Sequence, residues 1–212
     1  MRVAVLLTIL LCVPTIAAAQ RIEIGGSFVA TGGYDAGEKS AVETPNSTHP
    51  NAPGLTLFTT TSTVTSANGV EGRLAVNVSR QIAVEGVFQI AWPRLQTRVA
   101  DDFENAPSEL AEGQFTSYLG GASLVYHFGT GRVVPFVAGG ASYLRQLDED
   151  HAGVVSGTEI HGGGGLKYWF GSGRRSLGLR AEAQLSSRGT SIGFEDKRQT
   201  LPTFGVGLDY RF

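Results

Sequence analysis

His161-Gly162-Gly163-Gly164-Gly165-Leu166-Lys167-Tyr168-Trp169-Phe170 admits two incompatible readings. As a loop, HGGG has the form that supplies oxyanion-hole amides in ester hydrolysis, and Gly189-Thr190-Ser191-Ile192-Gly193 fits the G-x-S-x-G pattern of a nucleophile elbow. As a strand, the stretch alternates: Ile160, Gly162, Gly164, Leu166, Tyr168 and Phe170 fall on one face, His161, Gly163, Gly165, Lys167 and Trp169 on the other. The hydrolase order is Ser, acid, His along the chain. The histidines are His49, His127, His151 and His161, so none follows Ser191. The elbow also needs a strand–turn–helix setting, whereas residues 186–200 read as a polar loop. No catalytic residue is assigned, and the chain is not read as an enzyme.

The strand reading recurs along the chain. Phe204, Val206, Leu208, Tyr210 and Phe212 alternate with Gly205, Gly207, Asp209 and Arg211. Residues 177–185 set Leu177, Leu179, Ala181, Ala183 and Leu185 against Gly178, Arg180, Glu182 and Gln184. Residues 82–92 set Ile82, Val84, Phe88, Ile90 and Trp92 against Ala83, Glu85 and Gln89, and residues 70–78 set Val70, Leu74, Val76 and Val78 against Glu71, Arg73 and Asn77. Residues 22–30 and 118–128 follow the same rule, while 133–145 are apolar on both faces and their register stays open. These eight segments have about the 9–11 residues that cross a bilayer at a tilt.

Their connections are unequal. Residues 79–81, 129–132 and 171–176 are short turns. Residues 31 to about 69, 93–114, 146–159 and 186 to about 200 are long and polar. Alternation of short and long puts every long loop at one end, the layout of outer-membrane barrels with periplasmic turns and extracellular loops. Residues 55–66, LTLFTTTSTVTS, either extend the second strand above the membrane or form an extra hairpin, which would give ten strands.

In lipid a sheet must close, because every backbone polar group needs an internal partner. Tyr126, Phe128, Tyr168 and Phe170, with Tyr210 and Phe212, lie on apolar faces near the short turns, where an interfacial aromatic belt is expected. The opposite faces carry Glu23, Arg73, Glu85, Lys167, Arg180, Glu182, Asp209 and Arg211. An eight-strand barrel is only wide enough for its own side chains, so these charges are expected to form a paired interior network.

The N-terminus fits the same location. Met1-Arg2, an apolar run from Val3 to Ile16, and Ala17-Ala18-Ala19 read as a secretory signal over residues 1–19, with the barrel domain over 20–212. A lipoprotein signal ending at Cys12 is the lesser alternative, since Leu11 precedes it. The only cysteine leaves with the signal, so no disulfide is expected. Acids outnumber bases, 19 to 17, which is no nucleic-acid footprint. Glycine supplies 29 of 212 residues, about twice the usual ~7%, without a collagen period.

The terminal Leu208, Tyr210 and Phe212, the Pro135-Phe136-Val137-Ala138-Gly139-Gly140 strand and the glycine–aromatic hairpins resemble the small OmpA/OmpX-type outer-membrane β-barrels, a porin-like family of outer-membrane β-barrel domain proteins. The resemblance implies an all-β, eight-stranded antiparallel up-and-down transmembrane barrel. It implies that Leu208, Tyr210 and Phe212 form the signal read by the barrel assembly machinery. Members range from structural anchors to adhesins, and wall anchoring through a domain after Phe212 is not expected. The expected function is an integral outer-membrane protein with a sealed interior, acting structurally or through its surface loops. The alternatives are a small-solute or apolar-molecule channel and a soluble periplasmic ligand-binding barrel. Expected surroundings are outer-membrane lipid and lipopolysaccharide, with a monomeric chain and a loop partner the sequence does not name. No cofactor is implied. Asp148-Glu149-Asp150-His151 offers metal-ligand types, but reads as a solvated loop tip, and no metal site is assigned. A lipid A deacylase would place a histidine near Ser186-Ser187; none stands there.

Overall fold

The structure is a computed structural model, described over residues 21–42, 56–100, 109–148, 154–171, 173, 175–189 and 198–212. Residues 1–19, expected as a secretory signal, residues 190–193 of the G-x-S-x-G stretch and Glu149-Asp150-His151 lie outside them.

The strands are β1 (Ile22–Thr31), β2 (Tyr34–Val42), β3 (Thr56–Val64), β4 (Ala67–Asn77), β5 (Ile82–Ala91), β6 (Arg94–Ala100), β7 (Glu109–His127), β8 (Val133–Asp148), β9 (Val154–Trp169), β10 (Ser176–Gly189) and β11 (Gln199–Arg211). Eight of them, β1, β4, β5 and β7 to β11, close on themselves. The ring runs β1–β4–β5–β7–β8–β9–β10–β11 and returns through the antiparallel pairing of β11 with β1. Neighbours in sequence are neighbours in the ring, joined at one end by the 78–81, 128–132 and 170–175 turns. The first is tight: the Val78 and Ser79 amides both donate to the Ile82 carbonyl, at 2.9 and 3.0 Å.

The alternation sets which face meets lipid. Phe28 (79% exposed), Leu74, Val84, Phe88, Leu124, Leu166, Leu179, Phe204, Val206 and Leu208 all point outward and are exposed. Glu23, Glu71, Arg73, Glu85, Lys167, Arg180, Glu182 and Asp209 point inward and are buried. The open register of β8 is settled by its ladders: Phe136 opposes His127 and Gly165, which turns Val134, Phe136, Ser142, Leu144 and Gln146 inward and Val133, Val137 and Tyr143 outward.

Three strands break at one level, at Gly32-Gly33, Thr65-Ser66 and Trp92-Pro93. Pro93 has no amide to give the ladder, and a Cβ on Gly33 would stand 2.4 Å from the Val64 carbonyl. Above this line the chain continues as a second sheet in the order β2–β3–β6–β7, with residues 109–114 of β7 as its last strand. Residues 56–64 are therefore an upward extension of the second barrel strand, and no ten-strand ring forms. Much of 31–69 and 93–114, expected as polar loop, is paired strand. Threonine-rich sequence such as Thr59-Thr60-Thr61 lacks the apolar alternation that marks a lipid-facing strand, yet threonine is a good strand former.

Candidate functional site

The interior is packed in layers. The middle layer centres on Arg180 of β10, 1% exposed. Its Nη1 and Nη2 donate to both Glu85 oxygens, at 2.6 and 3.1 Å, and its Nε and Nη2 to Glu182 Oε2, at 2.9 and 2.7 Å. This is the fork geometry that makes arginine the preferred partner of buried carboxylates. Arg73 of β4 donates through Nη1 to Glu71 and Glu182, each at 2.6 Å, and through Nη2 to the Ser27 hydroxyl. Lys167 of β9 donates to Glu23 at 2.6 Å and lies 3.6 Å from Asp209, which is also 3.6 Å from Arg73. Phe136 supplies the floor of the network, its ring centroid 4.4 Å from the Arg180 guanidinium.

Small residues make this possible. A Cβ on Gly25 would meet Asp209 Oδ1 at 2.0 Å, and one on Gly178 would meet the Trp169 ring at 2.6 Å. Seven of the eight charged residues singled out in the sequence meet in this layer. Arg211 stands apart: it donates through Nη2 to the Gly171 and Gly173 carbonyls, both at 3.2 Å, and lies 4.5 Å over the Trp169 ring. Glu71 joins the network and was legible as an inward position of its strand.

Above the network, Arg188 pairs with Glu159 through Nε. Both lie just beyond the segments whose alternation is clear, because β9 and β10 run further than their apolar pattern. His161 Nε2 shares a 2.8 Å hydrogen bond with the Ser123 hydroxyl across Gly140, while its Nδ1 lies 3.7 Å from Glu159 and has no hydrogen-bond partner. A side chain on Gly140 would close that gap, its Cβ falling 2.7 Å from Ser123 Oγ. The HGGG stretch is mid-strand in β9, paired on both sides with β8 and β10, so it offers no free oxyanion loop. Higher still, Tyr34, Ala36, Val64, Phe115 and Leu201 form a buried apolar cluster with Leu95 against it. The void beside it is about 10 Å³, at the lower limit for one water.

At the turn end the lumen opens into a cup of about 580 Å³, lined by Arg21, Glu23, Asn77, Arg80, His127, Lys167, Trp169 and Arg211 among others. Outside it, aromatic pairs ring the strand ends: Tyr126–Phe128, Tyr168–Phe170 and Tyr210–Phe212, with centroids 5.1, 5.4 and 4.9 Å apart, edge to face. No group of three or more His, Cys, Asp or Glu able to hold a metal occurs among the described residues.

A closed sheet with apolar residues outside and ion pairs inside is the reverse of a water-soluble domain, which rarely exposes an apolar patch beyond a few hundred Å². The soluble periplasmic alternative fails on that surface. The chain is an eight-stranded transmembrane β-barrel of the Gram-negative outer-membrane type.

Comparison with known proteins agrees at the level of fold. No protein-family model matches the sequence, and no curated protein matches it. Among solved structures the chain is similar to the outer membrane protein OprG of Pseudomonas aeruginosa, at 13% identity and a TM-score of 0.54, over 92% of this chain and 96% of that one. It is also similar to the attachment invasion locus protein Ail of Yersinia pestis, at 15% identity and a TM-score of 0.49 over 91% and 99%. Neisserial surface protein A gives 16% and 0.43 over 91% and 97%. The OprG likeness shows the fold, and no finding singles out the OmpA/OmpX-type barrels within it.

Proposed function

We propose that the barrel is an anchor with a sealed interior and that the sheet β2–β3–β6–β7 is its working surface outside the cell. One observation carries this reading: the chain invests three extra strands in a paired sheet above the membrane-spanning ring, while the lumen beneath is filled. The packed apolar cluster and the Arg180 network run against the channel alternative.

Within this reading Leu208, Tyr210 and Phe212 are the segment recognised by the barrel assembly machinery, and Tyr126, Phe128, Tyr168 and Phe170 are the periplasmic aromatic belt. Outer-membrane phospholipid and lipopolysaccharide surround the barrel as a monomer of the small OmpA/OmpX-type class. The partner of the upper sheet is external to the chain.

Topology is the direct test. Thr61→Cys in β3 and Thr130→Cys in the β7–β8 turn each introduce one thiol. A membrane-impermeant maleimide added to intact cells is expected to label Thr61→Cys and to reach Thr130→Cys only after the outer membrane is permeabilised. The reverse pattern would overturn the orientation and with it the surface role. Deleting Phe212 is expected to lower the yield of barrel that resists unfolding in cold detergent; an unchanged yield would remove it from the assembly signal.

A further inference from the structure

The cup at the turn end gathers arginines that have no carboxylate beside them, although the network above holds five acids against three bases. Among the described residues its only carboxylate side chain is Glu23, and Glu23 is already matched by Lys167 at 2.6 Å. Arg21, Arg80 and Arg211 remain, and none has a carboxylate within ion-pair distance among the described residues. Arg211 is the sharper signal, because it is nine-tenths buried and its Nε has no hydrogen-bond partner. Buried guanidinium N–H groups are ordinarily satisfied. Asn77, Ser79 and Thr130 add neutral polar groups to the wall.

We propose that this cup binds a small phosphate-class polyanion from the periplasmic solution. The volume lies within the ~300–1,000 Å³ of ordinary small-ligand sites. Guanidinium forks match phosphate oxygens in pairs, and such charge-assisted bonds are about twice as strong as neutral ones. The cup is blind: Lys167 with Glu23, and Trp169 beneath Arg211, separate it from the Arg180 layer, so the anion is held rather than passed. It opens along the barrel axis, and the strand wall is continuous, so the headgroups of the surrounding leaflet lie outside it.

The probe is radiolabelled pyrophosphate in equilibrium dialysis against the full chain purified in an uncharged detergent. Saturable binding of one pyrophosphate per chain is expected, weakened about tenfold or more by Arg21→Gln/Arg80→Gln, the loss expected when two charge-assisted contacts go. Both side chains are exposed, so the double variant keeps its fold. Arg98→Gln, on the upper sheet, should bind as the parent does. Absence of saturable binding at millimolar pyrophosphate, or equal affinity in the double variant, would leave the arginines as counter-charges to the acidic network above and overturn the proposal. Phospholipid retained in native mass spectra by the parent chain and lost from the double variant would assign the cup to lipid headgroups, and would overturn it equally.

Discussion

At the scale of single residues, the interior of this barrel is held by arginine forks. Arg180 makes four charge-assisted hydrogen bonds to Glu85 and Glu182 with almost no contact with water. Such a network does not outperform a well-packed apolar core, because desolvation offsets the attraction. Removing one member is costly for a different reason: it strands buried charges of the other sign. Arg180→Met is therefore expected to lower barrel stability by about 3–5 kcal/mol, read from urea unfolding in lipid vesicles. Adding Glu85→Leu should recover part of that loss, and strictly additive costs would mean that the two side chains are not coupled. The outward face obeys the opposite rule. Leu208 points into lipid, and Leu208→Arg should cost about 2–4 kcal/mol if it sits near the midplane, measured as lost folding into vesicles. Normal folding of that variant would mean the face assignment is reversed.

At the scale of elements, each barrel strand is a two-faced ribbon, and that is why the ring was legible in the sequence. The alternation of Leu177 to Leu185 or Phe204 to Phe212 is imposed by lipid on one side and a polar lumen on the other. Where both faces are apolar, as from Val133 to Arg145, sequence leaves the register open, and only the pairing with β7 and β9 turns Phe136 under Arg180. Where the apolar alternation is missing, the signal weakens, so β2 and β6 read as loop and β3 as a strand of unsettled place. The charged residues of the network were legible as inward positions. Their partners were not, because sequence does not say which strand lies across the lumen. Glu23 and Lys167 are 144 residues apart. The upper sheet is expected to behave as a separable element. β3 is flanked on both sides, Thr61 facing Glu38 and Arg98, so Thr61→Pro removes an amide from the ladder wherever it points. Limited proteolysis should then cut within residues 56–64 while the barrel keeps its resistance to detergent. Loss of barrel and sheet together would show that they fold as one unit.

At the scale of the whole molecule, the question is what a filled lumen permits. Eight strands enclose only enough space for side chains, and here three successive layers occupy it: the network of Lys167, Arg73 and Arg180 on Phe136, the Arg188–Glu159 pair, and the apolar cluster of Tyr34, Val64, Phe115 and Leu201. The layers differ in chemistry, so no single change opens all three. Disrupting the ion pairs admits water to the middle of the barrel, but the packed cluster above leaves a void of only about 10 Å³ beside it, too small for a continuous water path. The wild-type chain is thus expected to show no steady porin-scale conductance in planar bilayers. Arg180→Ala alone should remain closed. Arg180→Ala combined with Arg188→Ala, Phe115→Ala and Leu201→Ala should conduct, because only then are all three layers breached. A large steady conductance from the wild type would overturn the sealed interior. Conductance from Arg180→Ala alone would show that the apolar cluster is no barrier, and that the ion-pair layer is the whole of the seal.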